Sequence, residues 1–355
     1  MIAAAAAKLW LNVTVAVVVI VGSMLLFCCC NKRELPPREG VSFYYWKTQF
    51  VLNDYERDVL RSNGVKKIFT RYFDLDLSPQ DSIIKPVSAI SFVSPLPDGM
   101  ALVPVVYIKN RVFEGIDSTQ ITDMSRKTCT LVAEISRYAH VSPNEIQFDC
   151  DWTDKTRKAF FYFLEEYKKI APATVLSATI RLHQVKYRRR TGVPPVDYGV
   201  LMFYNMGQIN ADSNNNSIYD KETAASYLSR LNDYPLRMSV ALPIFSWGIQ
   251  IRGQKVVSLL NKMYRQNFET DSNFTEIQPD RFVAKKGLFK GGYYFQANDG
   301  VKIEQVSRQD LLEMADMVQP HLSAAPATLI FYDLDSLNFI HYDTSIFYQT
   351  LRHFY

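Results

Sequence analysis

Runs of β-branched and aromatic residues recur along the chain from Val41 onward, each six to twelve residues long and closed by polar or turn-forming positions. They are VSFYYW at 41–46, KKIFTRYFDLDL at 66–77, LVPVVYIKN at 102–110 and EIQFDCDW at 145–152. Four more follow: LSATIRLHQ at 176–184, GVLMFYNMG at 199–207, MSVALPIFSWGI at 238–249 and ATLIFYDLDS at 327–336. Short, nearly continuous apolar runs of this composition predict strands covered on both faces.

Between them lie segments whose apolar positions recur at helical spacing. NDYERDVLRSNG separates the first two strands, TRKAFFYFLEEYKKI follows the fourth, KETAASYLSRLNDY follows the sixth and SRQDLLEMADMVQPHL precedes the eighth. Strands alternating with helices predict a parallel sheet, and eight such units predict an α/β fold closed as a (β/α)8 TIM barrel. An open doubly wound sheet is the rival, but the chain has no Gly-rich phosphate fingerprint after a strand. The interval from 250 to 326 is too long for one connection; it holds KVVSLLNKMYRQN, read as helix, and an insertion at 268–305 ahead of the last helix and strand.

The first thirty residues break the pattern. Leu9 to Cys30 runs without a charged side chain, long enough to cross a bilayer as a helix. It is read as a lipoprotein signal or membrane anchor over 1–30, with a simple secreted form as a third reading. SMLLFCCC is similar to a bacterial lipoprotein signal and makes Cys28, or Cys29 or Cys30, the lipidation candidate. A Pro-rich tether at 31–40 leads into one barrel domain at 41–355, placed in the cell envelope outside the cytoplasm. Of the remaining cysteines, Cys129 and Cys150 are expected as ordinary thiols, since so large a core needs no disulfide framework.

Composition adds little to this. Of 355 residues 48% are apolar, enough for one sizeable core, and a net charge of +4 without a long basic tract argues against a nucleic-acid partner. VKYRRRTG after the fifth strand reads first as a basic loop, and an anionic polysaccharide or a phosphate surface is its other reading. The stretch from Asp212 alternates oxygen side chains at Asn214, Asn216 and Asp220, yet it lacks the glycine and the final Glu of a calcium loop. No metal site and no cofactor are expected.

The chemistry gathers at strand ends. Residues two apart on a strand share a face, so Gln147, Asp149 and Asp151 form one row pointing into the barrel near its C-terminal mouth. Asp74 with Asp76, Asp333 with Asp335, and Arg181 with His183 repeat the arrangement, while Asn110, Arg111, Tyr204, Asn205 and Trp247 close other strands. Tyr44, Tyr45, Trp46, Tyr204 and Trp247 offer flat faces for sugar rings. Paired carboxylates suit glycosidic cleavage, where one protonates the leaving oxygen and the other attacks or activates water.

These residues resemble the chitinase-like family 18 glycoside hydrolases, which have an eight-stranded barrel, D-x-D-x-E ending the fourth strand, M-x-Y-D on the sixth and a late-strand Trp beneath the sugar. Here DCDWT stands at 149–153, MFYN at 202–205 and SWG at 246–248. The resemblance assigns Asp149 and Asp151 to the acidic positions, and Tyr204 and Trp247 to substrate contact. Thr153 stands where the family has its general-acid Glu, and Asn205 where it has Asp. Asp74, Asp76, Asp333 and Asp335 are the acids left to supply the proton. The stretches EIQFDCDWT, LSATIRLHQVKYRRRTGVPPVDYGVLMFYNMG and ALPIFSWG also resemble an uncharacterised group of Bacteroidetes-type lipoproteins with glycosidase-like barrels. The expectation is an envelope glycoside hydrolase-like protein acting on a polysaccharide. Its alternatives are a noncatalytic glycan-binding lipoprotein and a structural subunit of an envelope complex; the oligomeric state is not readable.

Overall fold

The computed structural model describes residues 40–355 apart from 82 and 212–214. The signal or anchor at 1–30, the cysteines at 28–30, nearly all of the tether, and Asp212 and Asn214 of the oxygen-rich loop therefore lie outside the described residues.

Eight parallel strands close on themselves: β1 Gly40–Tyr45, β2 Lys67–Leu77, β3 Ala101–Ile108, β4 Glu145–Asp149, β5 Val175–Arg181, β6 Tyr198–Met202, β7 Met238–Pro243 and β8 Thr328–Tyr332. Each pairs with the next, and β1 pairs with both β8 and β2, which completes the barrel. Alternation sorts the side chains. On β4, Gln147 and Asp149 turn inward, while Phe148 turns outward and meets Phe163 and Tyr167 edge-on at 5.1 and 4.9 Å.

The outer layer is uneven. Helix α1, Asp54–Ser62, starts on a reciprocal cap between Asn53 and Glu56; α2, Ser118–Tyr138, starts on a second between Asp117 and Gln120. Then come α3 Arg157–Ile170, α4 Leu182–Lys186, α5 Lys221–Leu228, α6 Arg308–Val318 and α7 Ser345–Arg352. The longest of them, α2, lies in a segment where Ser and Thr dilute the apolar period. Between β2 and β3 the described residues contain no helix; a strand at Ile84–Val87 folds back antiparallel on the upper half of β2 instead.

Three expected elements differ. The run 176–184 is not one strand: β5 stops at Arg181 and the chain enters α4, so Arg181 and His183 do not share a strand face. The run 238–249 is also two elements. β7 ends at Pro243, and Ser246–Arg252 belongs to a separate antiparallel sheet, which places Trp247 there and not at the end of the seventh strand. The segment read as helix is a strand, Lys255–Asn261, paired with Ser246–Arg252; Val256 and Val257 favour extended backbone, and pairing decided the case.

The insertion is thus longer than 268–305. Its five-stranded sheet runs in the order 255–261, 246–252, 300–305, 281–284, 274–278 and encloses its own small core around Phe268, Phe274, Phe282 and Phe295.

Candidate functional site

The C-terminal ends of the strands carry the mouth, and its floor is aromatic. Tyr332, the last residue of β8, lies 5.7 Å from Tyr204 in a near-stacked pair and 5.5 Å from Trp46, with Phe245 edge-on to both tyrosines. Tyr44 turns inward and donates its hydroxyl to Gln147 Oε1 at 2.7 Å. Its neighbour Tyr45 takes the opposite face: its ring packs on Phe50 outside the barrel and its hydroxyl bonds the backbone of Gln49 and Val51. As a sugar platform Tyr45 is therefore excluded, a direct result of strand alternation.

Asp149 sits at the end of β4, almost fully buried, and accepts a hydrogen bond from Thr179 at 2.6 Å. It has no ion pair among the described residues. Burial pushes its carboxyl up to about 6; Arg181 works against the shift, while Asp151 and Asp74 add to it. Asp151, two residues on, is more open and is clasped by Arg181, whose Nε lies 2.5 Å from Oδ1 and Nη2 3.2 Å from Oδ2. Burial opposes the charge of that guanidinium, but the two acids together raise its pKa.

The other acids are paired in turn. Arg71 holds Asp74 through two bonds of 2.6 Å. That geometry needs a bulge: three residues apart, the two would face opposite sides of a regular strand, but the pairing of β2 with β3 slips by one between Arg71 and Phe73 and brings both inward. Asp76 takes Arg111 and Lys109 at 2.6 Å each, and those bonds, Arg111's foremost, hold its carboxyl well below the usual range. Asp335 caps the turn at Ser336–Phe339 and meets Lys262 and Lys47. Burial works against its ionisation, yet Lys262 keeps the pKa low. Asp333 is the second acid without a contacting cation; burial raises it, and Asn338 Nδ2 lies 2.5 Å from Oδ1.

The remaining candidates scatter around this centre. Asn110 accepts from Thr156 Oγ1 at 2.5 Å at the foot of α3, serving that turn. His183 lies on α4, where burial lowers its pKa. Asn205 is exposed, in a left-handed backbone conformation, and its amide bonds the carbonyl of Ile218. Trp247 is nearly buried; its indole N–H donates to Glu304 at 2.9 Å, and its ring meets Phe245 at 5.2 Å on the insertion side of the mouth. Glu304 also holds Ser217, which ties the loop after β6 to the insertion. In that loop Asn216 and Asp220 serve backbone groups, Asp220 as the cap of α5. No group of acids, histidines or cysteines able to hold a metal occurs among the described residues, and Cys129 and Cys150 are free thiols.

Two features were not anticipated from sequence. Tyr332 was signalled by its place before Asp333 at a strand end, whereas Arg71 depended on a bulge that no pattern announced. A third observation concerns Tyr204: its buried hydroxyl has no hydrogen-bond partner in the described structure, and burial raises its pKa. A mouth with a stacked floor, an orphan hydroxyl and a carboxyl poised near neutrality can receive a polar ring compound. Thr153 contributes no acid. It is exposed, its amide bonds Thr156 Oγ1 at 2.9 Å, and it forms the turn that starts α3.

No family model matches the chain, and no curated protein matches it by sequence. Solved structures do match in fold. The spore cortex-lytic enzyme SleL of Bacillus cereus aligns over 90% of this chain and 75% of its own, at 12% identity and a TM-score of 0.51. A chitinase from Chromobacterium violaceum aligns over 88% and 98%, at 9% identity and 0.53; the chitinase RmChi1 of Rhizomucor miehei over 88% and 99%, at 9% and 0.50. The fold is the TIM barrel of these glycoside hydrolases.

Proposed function

We propose that the protein is a glycan-binding barrel, tethered in the cell envelope by its N-terminal segment, that holds a saccharide at its mouth without cleaving it. The observation that carries this reading is the pairing at the fourth and fifth strands. Thr153 stands in the general-acid position and is engaged in a helix-starting turn, while the accessible carboxylate, Asp151, is clasped by Arg181. An acid that protonates a leaving oxygen must be both protonated and within reach of it. Asp151 is reachable but ion-paired; Asp149 has the raised pKa but is only 4% exposed.

Binding asks less. Tyr332 and Trp46 supply stacking faces, and the acid–base pairs offer hydrogen bonds at the rim. The barrel's likeness to chitinases and a cortex-lytic enzyme supports a glycan as the occupant. The apolar run before Cys28 supports the tether.

The raised Asp149 favours a second reading, in which it acts as the acid and the protein is a hydrolase. One experiment separates them: calorimetric binding and reducing-end release, both measured on a panel of polysaccharides and peptidoglycan fragments, with a D149N/D151N control. Binding without release supports recognition. Release that the control abolishes overturns it in favour of hydrolysis.

A further inference from the structure

The connection from β2 to β3 supplies no helix among its described residues, so the outer face of upper β2 is bordered by the strand at Ile84–Val87, which pairs along its edge, by the turn at 112–116 and by α2. Between these elements runs a cavity of about 450 Å³. Phe73, Leu75 and Leu77, which alternate with the mouth-facing Asp74 and Asp76, form one wall. Met124 and Leu131 of α2 form the other, with Ile84 and Pro86 closing the side.

Its shape is a trench. The β2 wall spans roughly 13 Å at the strand rise, and the α2 wall from Gln120 to Leu131 roughly 16 Å at the helix rise. An extended hydrocarbon chain runs the length of these walls, and its carbons meet the apolar side chains at the usual ~3.5–4.0 Å.

Glu114, Gln120, Asp123 and Lys127 stand at the open rim, and one buried polar group breaks the apolar lining within it. Thr128 of α2 is 2% exposed and lines the trench, and its hydroxyl has no hydrogen-bond partner. A helical threonine commonly bonds a carbonyl one turn back, and an unpaired buried hydroxyl is costly. Lys127 also lines the trench, with its ammonium at the exposed end beside Asp123 at 2.6 Å.

We propose that this trench binds one acyl chain of a fatty acid or acyl ester, its carboxyl end met by the Thr128 hydroxyl with the Lys127 ammonium at the rim. The site stands apart from the mouth, on the opposite face of β2, and does not depend on what the mouth binds.

The test is calorimetric titration of the full-length chain, kept in an amphipathic polymer in place of detergent, with octanoate, decanoate and dodecanoate. Affinity rises about fourfold with each methylene that enters the trench, the worth of burying one such group. Leu131→Trp fills the trench and removes binding. Thr128→Val, which keeps the side chain's shape, lowers affinity roughly fivefold, as expected for one lost hydrogen bond. The absence of binding by all three acids to the wild-type chain overturns the proposal. So does wild-type affinity in folded Leu131→Trp, or in Thr128→Val if the first variant fails to fold.

Discussion

At the lower end of the barrel Lys67, opening β2, meets Glu145, opening β4, at 2.9 Å, and Tyr198 at the start of β6 bonds the same carboxylate. At the upper end of β4, four residues away, Asp149 is buried more deeply still and has a hydroxyl but no contacting cation among the described residues. One strand therefore carries a compensated charge at its foot and an uncompensated one at its head. Lower charges that cancel serve cohesion, since each is dear to bury alone. Upper charges left short of a partner are a standing cost to the empty fold, and an occupant that supplies hydrogen bonds offsets it.

The most severe test of the contrast is Glu145→Ala, which strands the Lys67 ammonium. It should destabilise by about 3–5 kcal/mol in urea unfolding, and a loss near zero would show that the lower pair is no more than incidental. Asp149→Asn should do the reverse. The carboxyl rises from 3.8 to about 6 on folding, so the folded state holds the proton more firmly. Stability then falls as pH rises between about 4 and about 6, by up to roughly 3 kcal/mol, and stays low above that window. The Asn variant should recover this difference at about pH 8 and lose its advantage below about pH 4. Matching unfolding curves for variant and wild type across that range would sink the assignment. The smallest effect is Tyr204→Phe. Deleting the orphan hydroxyl should stabilise the free protein by about 1 kcal/mol, and a stability loss would mean the hydroxyl already has a partner.

Strand alternation made much of this readable before any coordinates. Gln147 and Asp149 turn inward on β4 as their spacing required, Asp151 lies past the strand's end against Arg181, and the eight apolar runs each supply a barrel strand. What escaped depended on contacts between distant segments. Lys255–Asn261 alternates too poorly to reveal its partner at 246–252. Helix α2 begins with a D-x-x-Q cap, a local signal, but its Ser- and Thr-rich body hid the period. Tyr45 and Tyr44 are indistinguishable in composition, and only the strand's phase assigns one to the mouth and the other to the outer layer. The reach of Trp247 across to Glu304 spans a connection whose folding no local window reports.

The bulge at Tyr72 bears on how the chain tolerates change in length. Below it β2 is written in one frame, above it in another, and the two faces of the upper half serve separate ends: Asp74 and Asp76 the mouth, Phe73, Leu75 and Leu77 the trench. Losing Tyr72 itself would iron the strand flat and keep both faces. One codon gained or lost above it would exchange them, turning acids toward the hydrocarbon trench and apolar side chains toward the mouth. Both sites are thereby inherited together, through the length of a single strand.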